Sequence, residues 1–95
     1  GVRWAVHWVS GDTFEIENLG DEDAYQVAMT SQETLFVQCN TDSPISKVNP
    51  GDSFSFVAVR TMTTSDANLK VSWESENGET STWTRLLPFG PKQVK

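Results

Sequence analysis

From Thr13 to Asn18 the chain alternates apolar and polar residues. Phe14 and Ile16 fall on one side, and Thr13, Glu15 and Glu17 on the other. A period of two marks an extended strand with one wet face, because successive side chains leave a pleated backbone in opposite directions. The pattern recurs along the sequence. Residues Arg3 to Val9 place Trp4, Val6 and Trp8 on one face, and Ala24 to Thr30 place Tyr25, Val27 and Met29 together. Leu35 to Cys39 is shorter and reads as an edge strand. Ser53 to Arg60 sets Phe54, Phe56 and Ala58 on one face and Val57 and Val59 on the other, as a central strand would. Leu69, Val71 and Trp73 alternate with Lys70, Ser72 and Glu74, and a last strand from Thr80 to Leu87 carries Trp83. No segment shows a 3.6-residue apolar period.

Between these runs lie turn signals: Ser10-Gly11-Asp12, Asn18 to Asp23, Asn49-Pro50-Gly51-Asp52 and Glu76-Asn77-Gly78-Glu79. Asn-Gly supplies the positive φ that hairpin turns need. Asn40 to Asp52 reads as the longest connection and Thr61 to Asn68 as a polar loop. About seven short strands at this spacing predict an all-β chain, an immunoglobulin-like antiparallel β-sandwich. In 95 residues there is room for one such domain, assigned to 1–88, with a flexible tail over 89–95. A single cysteine, Cys39, means that no intramolecular disulfide ties the two sheets.

Phe14 to Gly20 followed by Ala24-Tyr25-Gln26-Val27 resembles the strand, Asn-x-Gly, acidic turn and Ala-x-x-Val strand of bacterial immunoglobulin-like modules of the CARDB-like and adhesion type. Val48 to Phe54 is similar to their Pro-Gly-Asp entry into the fifth strand, and Leu69 to Trp73 to their penultimate strand. The likeness spans about residues 13–74. The Trp-bearing first and last strands depart from it. It implies the fold and a role as spacer, adhesion unit or appended interaction domain, of a kind that also decorates phage virions. It carries over no functional residue.

The formal charge is −6, and Arg3, Lys47, Arg60, Lys70 and Arg85 are scattered singly. A nucleic-acid binder needs a clustered cationic surface to displace counterions, so nucleic acid is not an expected partner. No apolar run reaches the ~18–20 residues that would cross a membrane as a helix, so no membrane insertion is expected. The chain opens on Gly1 and not Met, which fits a processed product or an excised piece and leaves the compartment open.

Candidate chemistry is sparse. His7 is the one histidine, and no Gly-x-Ser-x-Gly elbow accompanies it. Cys39 reads as a half-buried structural thiol, since it has no sequence-near base. One His and one Cys cannot supply a paired-spacing zinc site. Asp21-Glu22-Asp23 is the one tight acidic cluster and the weak calcium candidate, against the plainer reading of a solvated turn. No cofactor and no catalytic residue is expected.

Four tryptophans in this length are the most informative residues. Trp4, Trp8 and Trp73 alternate with apolar partners, as core residues do, whereas Trp83 shares its face with Ser81 and Arg85. Trp83 and Arg85 are therefore the candidate partner-binding residues. The favoured expectation is a non-catalytic structural or protein-interaction module in a bacterial surface or virion assembly, using edge strands or the Asn40–Asp52 connection. The alternative is a small carbohydrate-binding module whose exposed tryptophans stack on sugar rings.

Overall fold

The computed structural model describes residues 1–31, 35–39, 43–60 and 67–88. The assigned tail over 89–95 lies outside the described residues, as does most of the predicted 61–68 loop. Eight strands form: β1 Trp4–Ser10, β2 Thr13–Asn18, β3 Ala24–Ser31, β4 Leu35–Cys39, β5 Ile45–Val48, β6 Ser53–Arg60, β7 Asn68–Glu74 and β8 Thr80–Leu86. They make two four-stranded sheets, β1-β2-β6-β4 and β5-β3-β7-β8, and all pairings are antiparallel. The triplets β1-β2-β6 and β3-β7-β8 follow the A-B-E and C-F-G order of an immunoglobulin-like sandwich. Strand β4 is added outside β6 and β5 outside β3.

The alternation read from the sequence becomes the core. Phe14, Ile16, Phe56, Ala58, Leu69 and Val71 are fully buried, one inward residue in every two along β2, β6 and β7. Phe14 and Phe56 are cross-strand neighbours and stack, with ring centroids 5.5 Å apart. Trp4 of β1 meets Trp73 of β7 edge to face across the sandwich, at 5.7 Å and 77°. Such a pair contributes roughly 0.5–1.5 kcal/mol beyond the area it buries. The β7–β8 hairpin turns where Asn77-Gly78 predicts, with Gly78 at φ 89° and its N–H donating to Ser75 O at 2.9 Å.

Two features depart from the expected pattern. Strand β3 carries a bulge: Tyr25 pairs with Glu74 and Ala28 with Ser72, so three steps on β3 match two on β7. Gln26 absorbs the extra residue at φ 50°. The bulge flips the phase of the strand, so Ala24 and Val27 are both buried while Tyr25 is only half-buried. Tyr25 therefore does not share the inward face of Val27. Strand β5 lies inside the segment expected to be all connection. Its inward residues, Ile45 and Val48, pair with Val27 and Ala24, and both sets are three apart because of the same bulge.

Candidate functional site

Asn18 closes β2 and is completely buried. Its Oδ1 accepts the Gly20 N–H at 2.9 Å and faces the Arg3 N–H at 3.5 Å. Its Nδ2 donates to Glu22 O at 2.9 Å and Val48 O at 3.3 Å. The backbone adds Asn18 N to Asp52 O and Gly51 N to Asn18 O. One side chain thus ties the first residues of the chain, the β2–β3 turn and the end of β5 together. The sequence reading places Asn18 in a turn, and its burial was not visible there. The trace it leaves is the Asn-x-Gly spacing of an Asx turn.

The carboxylates of the acidic turn beyond this corner, Asp21, Glu22 and Asp23, are divided between two sets of partners. Asp21 bonds the Gly1 amino group at 2.5 Å, and Glu22 lies 3.6 Å from it. That amino group holds the Asp21 carboxyl below its ordinary range, and Asp21 in turn raises the amine. Asp23 accepts from Tyr25 Oη at 3.4 Å and pairs with Lys47 at 3.5 Å. Among the described residues no group of three or more His, Cys, Asp or Glu side chains converges to hold a metal ion. Asp21, Glu22, Asp23, Tyr25 and Glu76 line a hollow of about 210 Å³ at this end of the sandwich.

His7 lies on the outer face of the first sheet, directly across from Glu15, with Nε2 3.0 Å from Oε1. The hydroxyl of Ser53 reaches the other oxygen of Glu15 at 3.4 Å. The carboxylate sits between serine and histidine, so the imidazole is not placed to take the serine proton as a triad base must. Cys39 Sγ contacts Met29 Sδ at 3.4 Å, bridging the two sheets, and burial pushes its thiol pKa up. A raised thiol is the opposite of an activated nucleophile.

The tryptophans divide by depth. Trp4 and Trp73 are buried; Trp8 and Trp83 are half-buried and pack against the rim of the core. Trp8 donates its indole N–H to Gly11 O at 2.8 Å. Trp83 pairs with Val71 and Arg85 with Leu69, so both are in inner-face register on edge strand β8, Arg85 exposed and Trp83 partly covered. None of the four tryptophans is among the exposed large apolar side chains, which among the described residues are Val9, Leu19, Phe36 and Leu86.

The most exposed aromatic ring among the described residues lies on β4. Phe36 is 57% exposed and pairs with Val59 of β6; Gln38 pairs with Val57. These four share the outer face of the first sheet, and both valines are only half-buried. Inward from them Leu35, Val37 and Cys39 meet Arg60, Ala58 and Phe56 in unbroken register. Sequence reading found β4 as an edge strand but not the outward apolar cluster, because cross-strand neighbours are fixed by topology. The connection expected to offer a contact surface folds in part into β5, itself an edge strand. That strand and the start of β6 border a groove of about 440 Å³ lined by Ile45, Val48 and Phe54 among others. No family model matches the chain, and no curated protein or solved structure is significantly similar to it.

Proposed function

We propose that this domain is a non-catalytic structural and protein-interaction module that receives a partner chain along β4 and the adjoining outer face of its first sheet. The observation that carries the reading is an uncharged edge strand with an exposed phenylalanine, Phe36, beside two half-covered valines, Val57 and Val59. An apolar cluster on the outer face of an edge strand offers side-chain area that a partner chain can cover. A role in a bacterial surface or virion assembly is the setting that the sequence resemblance suggests. The Trp83–Arg85 strip on β8 is a poorer anchor, because the indole already packs on the core rim. The same packing at Trp8 and Trp83 speaks against an aromatic platform for sugars.

A photo-reactive phenylalanine analogue at position 36, with a second chain labelled at position 82 as control, tests the reading in the cell that makes the protein. Thr82 is exposed on the polar outer face of the other sheet. A discrete protein adduct from position 36 and none from position 82 supports the proposal. No adduct, or equal labelling at both positions, contradicts it.

A further inference from the structure

We infer that Asn77 is a self-modifying residue, converted to aspartate and isoaspartate by attack of the main-chain nitrogen that follows it, while Ser75 and Glu79 hold the oxygen on which charge develops. The site is the tip of the β7–β8 hairpin, in the sheet that does not contain β4. An asparagine amide is labile where the next nitrogen can reach its carbonyl carbon. The asparagines among the described residues differ in this respect. Asn18 is completely buried with its oxygen and nitrogen both bonded, and Arg3 O holds the Leu19 N–H at 2.6 Å. Asn49 precedes Pro50, whose nitrogen has no proton to lose. Asn68 lies in β7 before the fully buried Leu69, which is paired with Arg85. Asn77 is exposed and precedes Gly78, which has no side chain to hinder ring closure and already sits at φ 89°.

The turn also prepares the carbonyl. Asn77 Oδ1 accepts from the Ser75 hydroxyl and from the Glu79 N–H, the latter at 3.2 Å. Donors aimed at that oxygen stabilise the oxyanion formed when Cγ becomes tetrahedral. One bond opposes the reaction: the Gly78 N–H donates to Ser75 O at 2.9 Å and must part before the nitrogen attacks. An exposed hairpin tip opens locally at small cost, and the two donors on Oδ1 are other groups.

The chemistry needs water alone. The Gly78 nitrogen loses its proton and bonds to Asn77 Cγ, the Cγ–Nδ2 bond breaks, and ammonia carries the proton away. Water then opens the cyclic imide. Attack at Cγ gives aspartate, and attack at the main-chain carbonyl carbon gives isoaspartate. Either product sets a new carboxylate between Glu76 and Glu79, on a hollow of about 590 Å³ that Glu22 also lines. The chain becomes one unit more negative than its formal −6. Isoaspartate also adds a carbon to the main chain, so the turn bonds of Gly78 N to Ser75 O and Ser75 N to Glu79 O, at 2.9 and 2.8 Å, lose their fit. The acidic end of the sandwich therefore grows more anionic and looser with time in water.

The test is incubation of the whole protein in heavy-oxygen water at neutral pH, followed by peptide mapping with electron-transfer fragmentation. Residue 77 should take up heavy oxygen and give both products, ahead of Asn18, Asn49 and Asn68. Ser75→Ala should slow the conversion at least about threefold, whereas Ser75→Thr, which keeps the hydroxyl, should stay within about twofold of the unmodified rate. Circular dichroism checks that both variants keep the fold. Asn77 that stays intact, aspartate without isoaspartate, or an unchanged rate in Ser75→Ala would each overturn the assignment.

Discussion

The corner around Asn18 and the β4 edge treat backbone polar groups in opposite ways. At the corner a buried amide serves two carbonyls and the Gly20 N–H, and Leu19 and Asp21 bond back to Arg3 and Gly1 at 2.6 and 3.0 Å. Everything the turn needs is supplied from within the domain. Strand β4 has one strand neighbour, β6, among the described residues, and its outward side chains meet solvent. The lesson is that polar groups bound for burial inside the fold are satisfied by a dedicated residue, whereas β4 has a strand neighbour on one side only among the described residues. Substitutions should therefore separate folding from association: costly to stability at the corner, nearly free at the edge.

The largest expected effect is at Asn18. Asn18→Leu keeps the volume but leaves two carbonyls and an N–H without their partner, and should cost about 3 kcal/mol in urea unfolding. A cost below about 1 kcal/mol would mean that water replaces the amide and the corner is not internally closed. Next comes Gly20→Ala. A Cβ there would lie 2.0 Å from Gly1 O and 2.7 Å from Arg3 N, so the first three residues must lift away. The expected loss is about 2 kcal/mol, with faster amide exchange at Leu19 and Asp21. Unchanged exchange at both amides would show that the close approach is not maintained in solution.

At the bulge the sign reverses. Gln26 holds a left-handed conformation that costs an L-residue roughly 1–2 kcal/mol, so Gln26→Gly should stabilise by roughly 0.5 kcal/mol and Gln26→Val should destabilise. Equal effects of the two substitutions would deny the bulge. Phe36→Lys should change stability by less than about 0.5 kcal/mol, because the ring it removes is more than half exposed. The smallest effect concerns the inner side of the same strand. Because burial raises the Cys39 thiol, its thiolate is scarce at pH 8, and iodoacetamide should label it at least about tenfold more slowly than in the urea-unfolded chain. Labelling at the unfolded rate would place Cys39 outside the sheet interface.

Much of this fold is written in period-two alternation. The inward sets of β1, β2, β6 and β7 can be read straight from the sequence, and so can the Asn77-Gly78 hairpin. Strand β5 could not be, because Ile45 and Val48 are three apart and match the bulged partner instead of a regular pleat. The bulge itself sits at a glutamine, which carries no turn signal. Asn18 looks like any turn asparagine until three separate segments are seen to converge on it. At the candidate site, the uncharged run Leu35 to Cys39 is plain in the sequence. Its place outside β6 and the pairing of Phe36 with Val59 are what make it a candidate, and only the topology supplies both. The tryptophans point the other way: their abundance draws attention, but two are buried and two are packed on the rim.

Amide hydrogen exchange of the unmodified chain, compared between the Asn18 corner and β4, tests the central claim most directly. The account predicts slow exchange at Leu19, Asp21 and Gly51, whose N–H groups bond within the corner, and faster exchange on average in β4. Exchange at the corner as fast as in β4 would contradict it.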